Sequence, residues 1–209
     1  MEKSNLLMPN RRDFITKVVP AFSLMCFGGM KVLAAICSEG ETSIAQEKHM
    51  FDREFTRKLT YRQYMQNINR NFIEFAQAAQ QKFGKEETIE LIKKLATEFN
   101  LERGQKQAQD SKDRSLKSCT RMFADPKSWE PMLNMKIVED TETAFELNVS
   151  ECLLATVFRD AKAADIGYAN VCWGDYAWAE GFNPKIKLVR DKTLMQGDKY
   201  CNHRYIWTA

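Results

Sequence analysis

The sequence lacks the short signatures that announce common chemistries. It has no Cys-x-x-Cys, no His-Glu-x-x-His, no phosphate-cradling glycine loop and no Gly-x-Ser-x-Gly elbow. It has only two histidines, His49 and His203, and no internal repeat or low-complexity tract. Net charge is also scarce where it would matter. Residues 1–35 hold five basic groups (Lys3, Arg11, Arg12, Lys17, Lys31) and two acidic ones (Glu2, Asp13), leaving 26 of each sign in residues 36–209. A neutral body excludes the electrostatic footprint of a nucleic-acid binder. With 44% hydrophobic and 28% charged residues, collagen, coiled coil and wholesale disorder are excluded too. A chain of 209 residues suits one core, which needs no disulfide or metal staple.

What is present begins at the amino terminus. Residues 10–16, Asn-Arg-Arg-Asp-Phe-Ile-Thr, resemble a twin-arginine export motif. The apolar run from Val18 to Leu33 is interrupted by Pro20, Gly28, Gly29 and Lys31, so it suits an export signal better than a membrane span. Residues 1–35 are therefore expected to be a signal that touches the membrane transiently and engages the twin-arginine machinery, with the mature protein exported, in the periplasm. Residues 36–58 are polar and read as a linker, His49 included. Residues 59–209 read as a single domain.

Within that domain, apolar residues at Tyr61, Met65, Ile68, Phe72, Phe75, Ala79 and Phe83 repeat at helical spacing and stop at Gly84. A second helix carries Ile89, Ile92, Leu95, Ala96 and Phe99 before polar residues near 103–113. Lys136–Glu139 and Ala144–Val149 suggest a hairpin. Ser150 can cap a helix through Phe158, another helix is expected over Tyr168–Ala179, and strands over Ile186–Leu194 and Tyr200–Trp207. This order predicts an α+β fold: helices packed on an antiparallel sheet, with an amino-terminal helical pair.

Three cysteines fall at informative places. Cys152, expected in the first turn after the Ser150 cap, would have its thiolate favoured by the helix dipole. Cys172 and Asp175 are three apart and share a helix face. Cys201, His203 and Tyr205 alternate onto one side of a strand. Arg190 aligns with Ile186 and Leu188, and a guanidinium on an apolar face needs an anion: Asp175, Asp198 or a substrate carboxylate. On spacing alone these cysteines are equally compatible with buried small hydrophobes, with disulfides in an exported protein, or with chemistry.

The carboxy-terminal third is more distinctive as sequence than as spacing. Cys172-Trp173-Gly174-Asp175, Gly181-Phe182-Asn183-Pro184-Lys185-Ile186, Arg190-Asp191-Lys192-Thr193-Leu194 and Gly197-Asp198 followed by Cys201-Asn202-His203-Arg204-Tyr205 form a pattern. It resembles that of the L-2-amino-thiazoline-4-carboxylic acid hydrolase family, and Cys152 fits that family's upstream cysteine. Asn202 and His203 stand where the family usually has Asp and Phe. The resemblance implies hydrolytic opening of a cyclic amidine-like ring in a small carboxylate substrate, giving a carbamoyl product. It implies Arg190 as carboxylate clamp, Asp175 or Asp198 as acid or base, and Cys172 or Cys201 as nucleophile or metal ligand. A zinc or manganese site of Cys152, Cys172, Cys201 and His203 is the corresponding metal expectation. The rival expectation is an exported, non-catalytic domain that binds a small thiol, anion or metal with the same residues.

Replacing Arg11 and Arg12 together by Lys is expected to leave the full-length chain in the cytoplasm. Cell fractionation checks this, and undiminished export would remove the twin-arginine reading.

Overall fold

A computed structural model describes residues 59–208. The signal and linker expectations, with Cys26, Cys37 and His49, lie outside the described residues.

Two long helices come first, α1 (Tyr61–Phe83) and α2 (Lys85–Asp110). Thr60 starts α1 with a capping box: its hydroxyl accepts the Gln63 N–H, and the Gln63 side chain accepts the Thr60 N–H. Gly84, at φ +100°, makes the turn into α2. A short α3 (Leu116–Thr120) leads to the hairpin of β1 (Leu133–Asp140) and β2 (Ala144–Cys152). Then come α4 (Leu153–Asp160), α5 (Ala164–Gly167), a widened π turn (Tyr168–Cys172) and α6 (Gly174–Phe182). β3 (Ile186–Val189) and β4 (Cys201–Trp207) close the chain. The sheet is antiparallel with order β1-β2-β4-β3. The fold is α+β, as its order of elements predicted.

One face of the sheet is apolar because alternation aligns it. Phe145, Leu147 and Val149 of β2 pair with Tyr205, His203 and Cys201 of β4. Cys201, His203 and Tyr205 thus share the helix-facing side. Phe123 stacks there on Phe145, Tyr205 and Trp129, with Trp178 of α6 edge-on. The other side is polar: Arg204 bonds Glu139 and, at 3.0 Å, Glu146.

Four sequence expectations are corrected. The α1 stripe divides: Met65 is buried with Ile73 and Ala76, whereas Tyr61, Ile68, Phe75 and Phe83 keep about half their surface exposed. What holds α1 to the body is partly polar. Gln77 Nε2 donates to the Ala161 carbonyl (3.0 Å) and Gln80 Nε2 to Asp165 (3.0 Å), while Arg62 pairs with Asp160. The polar stretch after Phe99 continues as helix to Asp110, because its small residues Gly104 and Ala108 face inward and Gln107 accepts the Trp178 indole N–H at 2.9 Å. Ser150 remains in β2, donating to the Asn134 carbonyl, and Cys152 itself caps α4. The strand from Ile186 ends at Val189, so Arg190 lies just beyond it and Leu194 sits in a 3-10 turn (Leu194–Gln196).

The α2–α6 contact is set by glycine. A Cβ on Gly104 would lie 2.2 Å from the Trp178 carbonyl oxygen and 2.8 Å from the Phe182 nitrogen; one on Gly181 would meet the Leu101 carbonyl at 2.3 Å. Those neighbours are backbone and cannot swing away. Gly104→Ala gains about 1 kcal/mol of helix propensity, yet forces two backbones apart. A net loss of roughly 1–2 kcal/mol is expected, read from urea unfolding. An equal or raised midpoint would show that the helices can separate cheaply.

Candidate functional site

The site is built around Arg190. Its position comes from the loop after β3, which Asn202 holds from β4: Asn202 Oδ1 accepts the Lys192 N–H (2.8 Å) and the Asp191 N–H (3.2 Å), and its Nδ2 donates to Asp191 (2.7 Å). The Arg190 side chain is 1% exposed. Nη1 donates to Asp175 Oδ2 at 2.7 Å and Nη2 to the Cys172 carbonyl at 2.6 Å. The guanidinium carbon lies 5.1 Å from the Tyr176 ring centroid and 6.0 Å from that of Tyr168. Tyr176 in turn donates its hydroxyl to the Arg190 carbonyl at 3.3 Å.

The π turn makes this possible. Trp173 N–H bonds back five residues to the Tyr168 carbonyl (2.8 Å), which widens the helix between α5 and α6. Across this junction Cys172 offers its carbonyl, and Asp175 its carboxylate, to the same guanidinium. Cys172 and Asp175, expected on one face of a regular helix, instead meet at this guanidinium from a π turn and α6, Cys172 through its carbonyl.

His203 completes the circle, with Nε2 at 3.4 Å from Arg190 Nη1. Arginine only donates, so the imidazole nitrogen facing it must be the acceptor of a neutral ring. Burial pushes the His203 pKa down from 6.5 to about 4; the Arg190 charge adds to this, and Asp175 opposes it. Burial likewise works against the Arg190 charge, but Asp175 outweighs it with help from Cys172 and Tyr176, and the guanidinium is held above its ordinary range.

The three cysteines come together here. The Cys172 thiol is raised by burial, against the pull of Arg190, and feels Asp175, Cys152 and Cys201. Cys152 is raised by burial even though it accepts the Ala155 N–H at 3.4 Å, so the helix terminus does not make it the thiolate that was expected. Cys201 is raised by burial too, and accepts the Leu194 N–H at 3.1 Å. All four described cysteines, Cys119 included, are free thiols. Asp198 lies apart from the Arg190 contacts. It is exposed and accepts the Thr193 N–H at 2.7 Å, closing the 193–198 turn that carries the Leu194 N–H to Cys201.

Among the described residues, no group of three His, Cys, Asp or Glu side chains is arranged to hold a metal ion. The donor chemistry of Cys152, Cys172, Cys201 and His203 also does not fit zinc or manganese. The Arg190 guanidinium stands beside two of them, bonding the Cys172 carbonyl at 2.6 Å and lying 3.4 Å from His203 Nε2, and its charge opposes a dication there.

Sequence reasoning did not single out Tyr168, Tyr176 or Asn202 as parts of the site. The two tyrosines act across the π turn, whose extra residue leaves no mark in the periodicity, and Asn202 works from the opposite face of β4.

The model of the L-2-amino-thiazoline-4-carboxylic acid hydrolase family matches residues 62–205, and the chain belongs to that family. No curated protein matches the chain at a significant level. Among solved structures, the phenol-responsive sensory domain of the transcription activator PoxR, with phenol, is 10% identical over 66% of this chain and 73% of its own, with a TM-score of 0.46. A trafficking protein particle complex subunit 3 from Naegleria fowleri, covalently bound to palmitic acid, is 8% identical over 70% of this chain and 96% of its own, with a TM-score of 0.43.

The neutral His203 gives a stability signature. Between pH 6.5 and about 4 the unfolded chain protonates His203 and the folded chain does not, so stability falls as the pH drops through that window. In urea titrations, His203→Phe is expected to flatten that fall by roughly 1–3 kcal/mol. Identical pH slopes for the two proteins would show that the ring titrates freely.

Proposed function

We propose that this hydrolase-family domain opens the ring of a cyclic amidine that bears a carboxylate, adding one water to give a carbamoyl thiol. The observation that carries the reading is Arg190 Nε, a buried N–H with no acceptor in a guanidinium whose two terminal nitrogens are both engaged. Leaving such a donor unpaired costs about 1–3 kcal/mol, so the site is incomplete without an acceptor. A substrate carboxylate supplies it, and this is the clamp role for Arg190.

The partner group supports the same class. Asp175 is tied to Arg190 by one oxygen, and its side chain is 34% exposed. An incoming molecule therefore meets a carboxylate in front of a buried guanidinium. A 2-aminothiazoline carboxylate is a zwitterion: its amidinium matches Asp175 and its carboxylate matches Arg190. Asp175 is then placed to take the amidinium proton and return it to the departing ring sulfur. The ring C–S bond breaks, a C=O bond forms at the amidine carbon, and the product is heavier by one water.

The protonated thiols favour one other reading, a non-catalytic domain that holds a small ligand at Arg190. Turnover separates the two. Purified residues 36–209, with L-2-amino-thiazoline-4-carboxylate, are expected to yield a product heavier by one water by mass spectrometry. Arg190→Lys keeps the charge but loses the fork, and is expected to lower kcat/KM by about 100-fold or more. Binding without turnover would establish the second reading.

A further inference from the structure

The Arg190 guanidinium is buried behind a partly exposed Asp175. A cleft of about 450 Å³ opens along α4. Its α4 wall is Cys152, Ala155, Thr156 and Arg159, at the i, i+3, i+4 and i+7 spacing of one helix face, with Ser150 and Leu194 across from it. Small side chains at the middle of that face make the groove. Arg159 Nη1 donates to the Leu194 carbonyl at 3.2 Å and bridges its two walls.

Of the three thiols, only Cys152 lines this cleft. Cys201 is 7% exposed, with its sulfur engaged by the Leu194 N–H. Cys172 contributes its carbonyl to Arg190 and does not border the opening. Cys152 therefore belongs both to the surface and to the thiol group, since Leu194, which lines the cleft with it, donates its N–H to Cys201 at 3.1 Å. We infer that Cys152 is the catalytic nucleophile of this site, presented to substrate along the α4 groove. The inference rests on the hydrolase reading and assigns to Cys152 a role that the sequence pattern gave to Cys172 or Cys201.

The step balances without an added reactant. Asp175 takes the amidinium proton, and the Cys152 S–H adds across the C=N bond, sulfur to carbon and hydrogen to nitrogen. The ring C–S bond breaks, and its sulfur leaves with the proton held on Asp175. Cys152 is left joined to the open-chain amidinium carbon. Water then adds at that carbon and expels the Cys152 thiol, giving the carbamoyl product and releasing one proton.

The test uses the full chain, with Cys26 and Cys37 scored separately. Limited iodoacetamide is expected to label Cys152 before Cys119, Cys172 or Cys201. Thr156→Leu, which narrows the groove and leaves the thiol in place, is expected to slow that labelling about tenfold. Acid quenching during turnover is expected to give a Cys152 peptide heavier by the mass of one whole substrate. Cys152→Ala, with its fold checked by circular dichroism, is expected to lose at least about 1,000-fold in kcat. Prior labelling of Cys172 or Cys201, an adduct on either, or full turnover by Cys152→Ala would overturn the assignment. If folded wild-type protein does not turn over the thiazoline, the proposed function falls, and the order of labelling alone decides whether Cys152 is the reactive thiol.

Discussion

A guanidinium that has left water must be matched bond for bond, and this requirement shapes the site. Burying one ion costs several kcal/mol even after relaxation. Arg190 recovers this through Asp175, the Cys172 carbonyl and two tyrosine faces. Each partner comes from a different feature of the chain. Asp175 comes from α6, the carbonyl from the π turn, and the loop bearing Arg190 itself is fixed by Asn202 from the edge of β4. Removing any one leaves the charge under-compensated, so the site and the carboxy-terminal half of the fold stand together.

The long helices serve that half from a distance. Gly104 and Gly181 let α2 and α6 approach backbone to backbone, and the Gln107–Trp178 hydrogen bond fixes how α6 sits. Because α6 begins with Gly174 and Asp175, its placement on α2 sets where the carboxylate meets Arg190. Trp173 joins the same contact by donating to Thr97 of α2 at 3.1 Å, beneath the Lys93 ammonium. Packing between helices thus becomes geometry at the ion pair.

Much of this was legible as pattern. The hairpin, the strand alternation that puts Cys201, His203 and Tyr205 on one side, and the need of Arg190 for an anion all follow from side-chain period and charge. The rest depended on interactions that no local pattern encodes. The polar tail of α2 reads as helix end until Gly104 and Gln107 are seen against α6. Ser150 is a better cap than Cys152 by propensity, but the β1 partner holds Ser150 in the strand and moves the helix start onwards. The α1 stripe counts apolar residues without revealing which of two adjacent rows faces the body. For the thiols the competing effects had to be weighed in three dimensions. One helix-terminal N–H at 3.4 Å from sulfur does not offset the burial of Cys152.

Those neutral thiols explain why the charges of the pair matter to the proposed chemistry. A protonated thiol cannot attack as an anion, and it adds to an amidine only when that amidine has lost its own extra proton. In the proposed chemistry Asp175 is the group placed to take it: one carboxylate oxygen is engaged by Arg190, and the side chain is 34% exposed. On that proposal the acid end of the substrate, at Arg190, brings its amidine end to Asp175. The neutral imidazole of His203 adds no charge to this exchange. A second cation in its place would stand 3.4 Å from the guanidinium and be repelled by it, which is why the ring remains unprotonated beside Arg190.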